Sequence, residues 1–321
     1  MTTPTARFIL ASWPTPLEPA PRLSVALGLN ADDLWLKRDD LTGLAAGGNK
    51  IRKLEWTIAA AQRQQADVVI TTGAPQSNHA RLTVAACARA GLDVVLVFPG
   101  AAPRTSPAGN LLLDTLLGAS LVWSADRGVD AKGQDELDDV ADEVAQELRA
   151  EGRRPVVIPF GGSNAVGAHG YRLAAGEITL QRDRVDEVVC AVGSGGTMAG
   201  LVAGLGAERV LGVDCGAVSD AHAQVAALLQ DMGTAVPHEQ LRIRTDQVGA
   251  GYEVLTDKAR AAMTLAARTH GLVLDPTYSA RALAGLIDAI EDGTIRPGRA
   301  VIFLTSGGLP GLFGHPDMSS S

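Results

Sequence analysis

The sequence contains little lysine. Of its 28 lysines and arginines only five are lysines, namely Lys37, Lys50, Lys53, Lys132 and Lys258. Arginine therefore supplies the ordinary positive charge. Lysine differs from it chemically because its amine can lose a proton and act as a nucleophile. Lys50 and Lys53 lie in GLAAGGNKIRKLEW, behind two glycines and an asparagine, at the start of a helix-like pattern. Both are candidates for a chemical role.

Cysteine is also scarce. Cys87, Cys190 and Cys215 are odd in number, far apart and embedded in apolar segments, a pattern that fits neither a disulfide framework nor a zinc motif. We expect them to be reduced core residues. None of the six histidines shows the paired spacing of a metal-binding helix, so no metal site is predicted.

Long apolar runs and basic runs are missing as well. No stretch offers about 18 uninterrupted apolar residues, and the N-terminus lacks a basic region followed by an apolar one, so a cytoplasmic location is predicted. The formal net charge of -8 argues against nucleic acid or an anionic membrane as the main partner. Chemistry on a small molecule is the favoured class of function.

Helix-period and strand-like segments alternate along the chain. A helix is predicted over 51–65, a buried strand over 67–73 and a second helix over 78–90. Further apolar runs, each followed by a polar or Gly-rich turn, are DVVLVFPG, PVVIPFGGSN, DEVVCAVGSGGT, RVLGVD, LVLDPTYS and AVIFLTSGG. Strands of this kind are typical of parallel α/β proteins, in which both faces of the sheet are covered. The charged stretch 130–154 is predicted to be a solvated helix with one apolar face.

Ligands of parallel α/β proteins bind at the carboxyl ends of the strands. Four predicted strand ends are polar or Gly-rich, at 71–81, 192–200, 274–280 and 304–311. If they face one crevice, they line a single site.

The loop in the second of these segments has the composition of a phosphate-binding loop, with the residues Gly193, Ser194, Gly195, Gly196 and Thr197. It follows a strand and opens a helix, where backbone N–H groups hold anions. A purely structural turn is the alternative. A dinucleotide fingerprint would need a small residue where Met198 stands, although Asp214 lies where a ribose-binding acid would be. The triphosphate-loop pattern fails because Ile51 follows Lys50. A single phosphate is favoured.

Other candidate residues each have an ordinary interpretation. Ser77 and Asn78 are good helix N-caps. Tyr252 and Tyr278 fit half-buried aromatics, and His79 is the only histidine in a candidate loop. Their combination with a phosphate loop and a lysine behind glycines favours pyridoxal phosphate, which carries one phosphate and needs a Schiff-base lysine.

Six segments closely resemble the D-cysteine desulfhydrase / 1-aminocyclopropane-1-carboxylate (ACC) deaminase family of pyridoxal-phosphate enzymes. They are KRDDLTGLAAGGNKIRKLE, TTGAPQSNHAR, VIPFGGSNAVGAHGY, VGSGGTMAGL, LDPTYSARALAGLID and FLTSGGLPGLFG. The likeness runs in unbroken order from about Phe8 to His315. It implies a two-domain, parallel-sheet α/β protein of PLP fold type II, like the tryptophan synthase β-subunit, that forms a homodimer. A smaller domain, 46–154, would be inserted into a larger cofactor-binding domain of 1–45 and 155–321.

The resemblance also implies which residues hold the cofactor. Lys50 would form the Schiff base, with Arg52 and Lys53 as supporting residues on the same helix. Asn78 would hydrogen-bond the pyridoxal 3'-oxygen, and Ser306 would approach the pyridine nitrogen. The phosphate would lie against Gly193, Ser194, Gly195, Gly196 and Thr197.

Catalysis and substrate binding are implied for a second group of residues. Lys50, Ser77 and Tyr278 would be catalytic, with Tyr278 a candidate for proton transfer. Ser77, Asn78 and His79 would also contact the substrate, as would the tyrosines Tyr252 and Tyr278.

The sequence departs from the family pattern at three places. Ser306 stands where many relatives have threonine, Glu253 stands where relatives usually have glycine, and the segment 206–249 is short. In addition, Ser279 stands where ACC deaminases carry an acidic residue.

The expected reaction is α,β-elimination on a small amino acid. D-cysteine would give pyruvate, sulfide and ammonia. L-cysteate sulfo-lyase and ACC deaminase activities are the alternatives within the family. A nicotinamide-dependent oxidoreductase and a non-catalytic binding protein are the alternatives from other classes.

Overall fold

A computed structural model describes residues 6–131 and 133–318 of the chain. The strands of this part are β1 (Leu17–Pro19), β2 (Leu34–Arg38), β3 (Val68–Thr72), β4 (Asp93–Phe98), β5 (Ser120–Trp123), β6 (Pro155–Ile158), β7 (Glu187–Val192), β8 (Val210–Asp214), β9 (Arg242–Arg244) and β10 (Val301–Thr305). Its α-helices are α1 (Pro21–Ala26), α2 (Lys50–Arg63), α3 (Asn78–Ala90), α4 (Gly109–Leu116), α5 (Gln134–Ala150), α6 (Ala165–Gln181), α7 (Gly196–Leu205), α8 (Ala221–Asp231), α9 (Asp257–His270), α10 (Ser279–Glu291) and α11 (Leu309–Gly314). Across these residues, no helix combines the length and apolarity needed to cross a membrane.

The larger sheet has the strand order β1-β2-β10-β7-β8-β9. Only β1 runs antiparallel to its neighbour; the other pairs are parallel. Alternate residues of β10 pack into opposite cores, with Phe303 among the residues of α9 and α10 and Ile302 among those of α6 and α7. Both faces are therefore covered by helices. The predicted parallel α/β architecture is confirmed.

The smaller sheet has the order β5-β4-β3-β6, and all of its strands are parallel. Within β3, Val69 packs against α2 and α3, whereas Val68 and Ile70 pack against α5. The stretch 130–154 contains α5, whose buried face includes Leu137. The amphipathic helix predicted there is thus confirmed.

The pairing of β6 bears on the predicted boundary between the two domains at residue 154. Pro155 pairs with Val68 and Ile158 with Thr71, so β6 completes the smaller sheet, while a boundary at 154 would cut it off. Because a strand shares its hydrogen bonds with its neighbours, we propose that the smaller domain runs from about 46 through Ile158.

One predicted strand does not form. Leu272 and Leu274 are buried and Val273 is exposed, which is the alternation of a strand, but residues 272–275 make no strand pairing in the described sheets. The segment instead leads directly into α10. Its buried leucines, Leu272 and Leu274, pack in the hydrophobic core without forming a strand.

The helix α2 lies between the two sheets. Ile51, Leu54, Ile58 and Ala61 are fully buried, as their predicted helical spacing requires. Complete burial of one such leucine or isoleucine contributes about 1.5–3 kcal/mol. The opposite side is buried too, because Arg52 binds Asp39 and Glu177 of the larger unit. Consequently the helix that begins at Lys50 is fixed on both sides.

The three cysteines are buried and free, as predicted. Burial raises the pKa of the Cys87 and Cys190 thiols to about 12. They are therefore protonated at neutral pH and are not nucleophiles.

Candidate active site

Four of the sequence segments meet in one cleft of about 510 Å³, which lies at the carboxyl ends of β3, β6, β7 and β10. Its lining residues are Asn49, Lys50, Lys53, Ser77, Asn78, His79, Phe160, Gly161, Ala191, Gly193, Ser194, Gly195, Thr197, Tyr278 and Ser306. Two predicted site residues, Gly196 and Tyr252, are absent from this lining and contact residues that belong to it. The predicted convergence of the strand ends is therefore observed.

Lys50 enters the cleft from the first position of α2. The preceding loop turns sharply, with positive φ angles at Ala45, Ala46 and Gly47. The Lys50 ammonium lies 6.0 Å from the ring centre of Tyr278. Burial lowers the pKa of Lys50 to about 8, and weaker interactions, including that with Asp275, act in the opposite direction. An amine with this pKa is a usable nucleophile and base near neutral pH.

Lys53 lies one turn further along the same helix and is fully buried. Its Nζ donates to the Gly161 carbonyl oxygen at 3.1 Å and to Ser163 Oγ at 2.8 Å. Burial, and then the charge of Lys50, lowers the pKa of Lys53 well below its usual range. Ser163 Oγ is 2.8 Å from Ser194 Oγ. Lys53 thus connects α2 to the Gly-rich loop, a support role that the resemblance implied.

The Gly-rich loop connects β7 to α7. The first helical hydrogen bond runs from the Ala199 N–H to the Gly195 carbonyl oxygen, so the N–H groups before Ala199 lie outside the helical ladder. A Cβ on Gly193 would lie 2.8 Å from the Tyr278 ring. A Cβ on Gly196 would lie 2.6 Å from Ser163 Oγ and 2.9 Å from Lys53 Nζ. At these two positions glycine keeps the cleft open.

Gly195 is needed for a different reason. Its φ is +82°, a backbone conformation that other residues rarely adopt. A Cβ there would point at Gln224, Val225 and Leu228 of α8, at 3.2–3.3 Å. A side chain at Gly195 would therefore be directed at α8 and not into the cleft. Backbone strain and crowding against α8 explain this glycine.

The start of α3 supplies two polar groups. Ser77 is the N-cap, and its Oγ accepts from the Ala80 N–H at 3.1 Å. The predicted N-cap is thus confirmed; Ser77 also lines the cleft, where its role toward the substrate stays a prediction. Asn78 Oδ1 accepts from Asn110 Nδ2 at 2.9 Å.

His79 is 2% exposed and reaches the cleft with little freedom to move. Its Nε2 lies 3.0 Å from the Thr71 hydroxyl and 3.4 Å from the Thr83 hydroxyl. Both hydroxyls donate elsewhere, to the carbonyl oxygens of Ile158 and of His79 itself. Nε2 therefore carries the proton, and Nδ1 is an acceptor. Burial, with the charges of Lys50 and Lys53, lowers the pKa of His79 well below its usual range.

Tyr278 and Tyr252 form a hydroxyl–hydroxyl pair. Their rings meet edge to face, with centres 5.9 Å apart. Burial raises the pKa of both phenols, so both are protonated at neutral pH. Tyr278 can accordingly donate a hydrogen bond within the cleft while Tyr252 holds its hydroxyl.

The far end of the cleft is closed by neutral hydroxyls. Ser306 Oγ is 2.9 Å from Ser279 Oγ. The nearby carboxylate of Asp275 accepts from the backbone N–H groups of Thr277, Tyr278 and Ser279. Asp275 thus caps the start of α10, and the side chain that pairs with the Ser306 hydroxyl is the uncharged Ser279.

Sequence reasoning missed several cleft residues. Phe160 and Gly161, which line the cleft, and Ser163, which bonds Lys53 and Ser194 behind it, belong to the quoted motif VIPFGGSNAVGAHGY, whose residues had no predicted role. The consecutive glycines after a strand were a usable signal, since Gly161 has a φ of +64° and a Cβ there would collide with Ser194. Asn49, whose Nδ2 donates to Thr197 Oγ1 at 3.2 Å, had no comparable signal.

A known family matches this arrangement. The sequence pattern of the family described as "Pyridoxal-phosphate dependent enzyme" matches residues 9–307. The chain belongs to this family. Its cofactor is pyridoxal phosphate, and the PLP fold type II that was predicted from the resemblance is confirmed.

Individual relatives narrow the family further. A Pyrococcus furiosus protein named "Putative 1-aminocyclopropane-1-carboxylate deaminase" is 38% identical over 97% of this chain and 94% of its own. A Klebsiella pneumoniae protein named "D-cysteine desulfhydrase" is 39% identical over 97% of both chains. A crystal structure named as that of "the ACC deaminase homologue" superposes with a TM-score of 0.88 at 36% identity, covering 98% of this chain and 96% of its own. This pyridoxal-phosphate enzyme is thus a lyase of the ACC deaminase / D-cysteine desulfhydrase family.

The cleft fits the cofactor on three counts. The loop before the N-terminus of α7 has glycine at 193 and 196, where a Cβ would collide with neighbouring side chains. Exposed backbone N–H groups at such a helix N-terminus suit a phosphate. Lys50 has a pKa near neutrality. The dinucleotide alternative has no support, since Asp214 accepts from the Gly216 N–H and Met198 is buried against Gly212.

Proposed function

We propose that this enzyme catalyses α,β-elimination on a small amino acid, and that D-cysteine is the preferred substrate, giving pyruvate, hydrogen sulfide and ammonia. The observation that carries the proposal is the pair of neutral hydroxyls, Ser279 and Ser306, at the end of the cleft. The 39% identical relative named D-cysteine desulfhydrase supports it.

The residues that would hold the cofactor follow from the cleft. Lys50 would bind it covalently, the backbone N–H groups of 193–197 would take its phosphate, Asn78 would donate to its phenolic oxygen, and Ser306 would face its ring nitrogen. When bound, pyridoxal phosphate withdraws electrons from the Cα of the substrate.

The protein groups would then carry out three tasks. The backbone N–H groups at the start of α3, together with Ser77 and Asn78, would bind the substrate carboxylate, because a helix N-terminus favours an anion. The Lys50 amine would take the proton from Cα. As the Cβ–S bond breaks with its electron pair on sulfur, the Tyr278 hydroxyl would donate a hydrogen bond to the departing hydrosulfide, and Tyr252 would hold that hydroxyl in place. The released aminoacrylate takes up a proton at Cβ to become an imine, which water hydrolyses to pyruvate and ammonia.

Neutral hydroxyls beside the ring nitrogen favour this reaction over cyclopropane opening. A carboxylate would raise the pKa of the ring nitrogen and strengthen the electron withdrawal, whereas a serine hydroxyl does so less. Opening the ring of ACC depends strongly on that withdrawal, while sulfide is a good leaving group. ACC deaminase activity is the second candidate because two similar proteins carry that name.

A turnover screen tests the proposal. Purified holoenzyme would be supplied with D-cysteine, L-cysteine, L-cysteate, β-chloro-D-alanine, D-serine and ACC, and the 2-oxo acid product would be identified. We expect pyruvate from D-cysteine or β-chloroalanine and little 2-oxobutanoate from ACC. A kcat/KM for ACC equal to or above that of every cysteine-like substrate would overturn the proposal.

A homodimer and a cytoplasmic location remain proposals. Four large apolar side chains are exposed on the neighbouring helices α4 and α11, namely Leu112, Leu116, Leu309 and Phe313. A patch of this kind is suited to a protein contact. Light scattering of the purified enzyme measures whether two chains associate.

A further inference from the structure

The orientation of the Asn78 amide is fixed by a chain of hydrogen bonds. Asn110 Nδ2 donates to Asn78 Oδ1 at 2.9 Å and to the Gln76 carbonyl oxygen at 2.8 Å. Asn110 Oδ1 accepts from Arg81 Nε at 2.7 Å. An amide can be turned end for end, but a guanidinium has only donors, so Arg81 permits one orientation of Asn110. Asn110 then permits one orientation of Asn78.

This orientation determines what Asn78 offers to the cleft. Because Oδ1 is occupied by Asn110, the free group is the Nδ2 donor. It lies near Gly308, where a Cβ would approach it to 2.6 Å. Over 6–131 and 133–318, no protein acceptor takes a hydrogen bond from Nδ2. A donor that is held ready in this way suits an anionic oxygen on a ligand.

Arg81 makes a second set of contacts on the loop before Lys50. Its two terminal nitrogens donate to the carbonyl oxygens of Ala45 and Gly47. Ala45 and Ala46 have φ angles of +44° and +70°, which cost energy in residues other than glycine. The guanidinium therefore holds a strained loop whose next helix begins with Lys50.

Arg81 is fully buried, and within the described chain it forms no salt bridge. The acidic group that acts on it is Asp114, whose carboxyl oxygens have no hydrogen-bond partner among the described residues. Burial raises the pKa of Asp114 to about 8, so this acid is mostly neutral at pH 7. Burying an unpaired cation is expensive. A purely structural site could use an apolar residue instead.

We propose that Arg81 and Asn110 are positioning residues that preset the Asn78 amide as a donor to the phenolic oxygen of the cofactor, while Arg81 also holds the loop that presents Lys50. The proposal rests on the assignment of Asn78 to the cofactor in the proposed function, but not on the identity of the substrate. Both residues act through others, since neither lines the cleft.

The variant Asn110→Asp tests the relay with little change of shape. Aspartate still accepts from Arg81 but cannot donate to Asn78 Oδ1. In the substrate-free holoenzyme we expect the ratio of the visible to the near-ultraviolet cofactor band to fall about tenfold, because one hydrogen bond to the anionic phenolic oxygen is lost. Asn78→Ala should give a similar spectrum.

The double variant decides whether Asn110 acts through Asn78. In the Asn78→Ala background, Asn110→Asp should change the ratio no further, since the two residues form one path. An unchanged spectrum in Asn110→Asp or in Asn78→Ala would overturn the proposal, and so would an equal additional change in the double variant. None of these measurements uses a substrate, so a wrong choice of D-cysteine leaves them unaffected.

Arg81→Met extends the test to the loop. We expect the same spectral change and faster amide hydrogen exchange at residues 45–49. Arg242→Met is the control, because Arg242 donates to the Glu187 carboxylate and to the Glu208 carbonyl oxygen, at the end of the larger sheet opposite the cleft. Equal exchange at 45–49 in the two variants would refute the loop role. If Arg81→Met does not fold, Asn110→Asp still decides the relay.

Discussion

The cleft has two walls that are held in place by different chemistry. The lysine wall is the start of α2, with Lys50 and Lys53. The tyrosine wall is the segment 251–254 and the start of α10, with Tyr252 and Tyr278. Each wall has a buried arginine. In the lysine wall Arg52 makes paired hydrogen bonds to Asp39 and to Glu177.

The tyrosine wall has no such ion pair. Arg281 is fully buried, and its donors reach the carbonyl oxygens of Cys215, Gly251, Tyr252 and Val254 at 2.6–3.1 Å. Within the part of the chain that the structure describes, it has no acidic partner at salt-bridge distance. One side chain therefore fixes an irregular segment through its backbone.

Because the two walls are held differently, we expect substitutions in the first to affect stability and substitutions in the second to affect catalysis. Ion pairs join Arg52 of α2 to Asp39, just after β2, and to Glu177 of α6, so losing one of these partners should destabilise the whole fold. The segment 251–254 contributes few buried apolar groups. A substitution that frees this segment should therefore leave the fold intact and loosen the hydroxyl pair of Tyr252 and Tyr278.

The largest effect is expected for Lys50→Ala. Loss of the cofactor-binding amine and base should lower kcat about 10³-fold or more, while alanine keeps the helix propensity of the first turn of α2. Steady-state turnover and thermal unfolding measure the two quantities. Lys53 is an unsuitable control because it is buried and bonded to Ser163, so Lys258→Ala, on an exposed lysine, takes its place. Undiminished turnover in Lys50→Ala would refute the assignment.

Arg52→Met tests the stability of the lysine wall. Removing the guanidinium leaves the buried Asp39 carboxylate without its cation, which should lower the free energy of unfolding by about 3–5 kcal/mol. Urea unfolding measures this loss. The matched control is Arg127→Met, whose paired hydrogen bonds to Glu147 are at the surface and should contribute less than about 1 kcal/mol. Equal losses in the two variants would contradict the comparison.

Arg281→Met tests the tyrosine wall. The segment 251–254 should loosen and Tyr252 should lose its fixed position against Tyr278, lowering kcat about 10- to 100-fold. Cofactor content should stay unchanged, because the hydrogen bonds of Arg281 go to residues 215 and 251–254 and not to Lys50 or 193–197. Limited proteolysis should show new cleavage in the segment. Arg281→Lys, which keeps the charge but has fewer donors, should restore part of the activity; full activity in Arg281→Met would argue against the clamp.

Much of this site could be predicted from local sequence patterns. Lys50 and the loop 193–197 are marked by neighbouring glycines, and Ser77 is marked by its position before a helix. These signals are short-range. The strand predicted at 272–275 shows their limit, because an alternating pattern does not reveal whether a partner strand is present.

The supporting residues could not be found in this way. Lys53 meets Ser163 across 110 positions of sequence, and Arg281 meets Cys215 across 66. Local patterns mark the segment that contains Ser163, but they do not reveal that Lys53 or Arg281 contacts these partners. The reason for Gly195 was likewise out of reach, since it depends on α8 packing behind the loop. Tertiary packing decides which buried cation supports which wall.

The smallest effect concerns the pH dependence of cofactor capture, the reaction of the Lys50 amine of apoenzyme with the cofactor aldehyde. It tests how far the lysine wall excludes water from Lys50. Only a neutral amine attacks the cofactor aldehyde. With a pKa of about 8, Lys50 is protonated below that pH, so capture by apoenzyme should rise about tenfold per pH unit up to pH 8 and level off above it. Free Nα-acetyl-lysine in solution is the control, and its rate should keep rising toward pH 10 because its amine is solvated.

The two arginine variants then separate the walls. Burial is the main cause of the low pKa of Lys50, so Arg52→Met, if it remains folded, should admit water and move the midpoint of capture to higher pH. Arg281→Met should leave the midpoint near 8, because it loosens the opposite wall. If instead the rate of capture by the unaltered apoenzyme continues to rise beyond pH 9, Lys50 is exposed to solvent. The proposed difference between a lysine wall that excludes water and a tyrosine wall held by one arginine is then wrong.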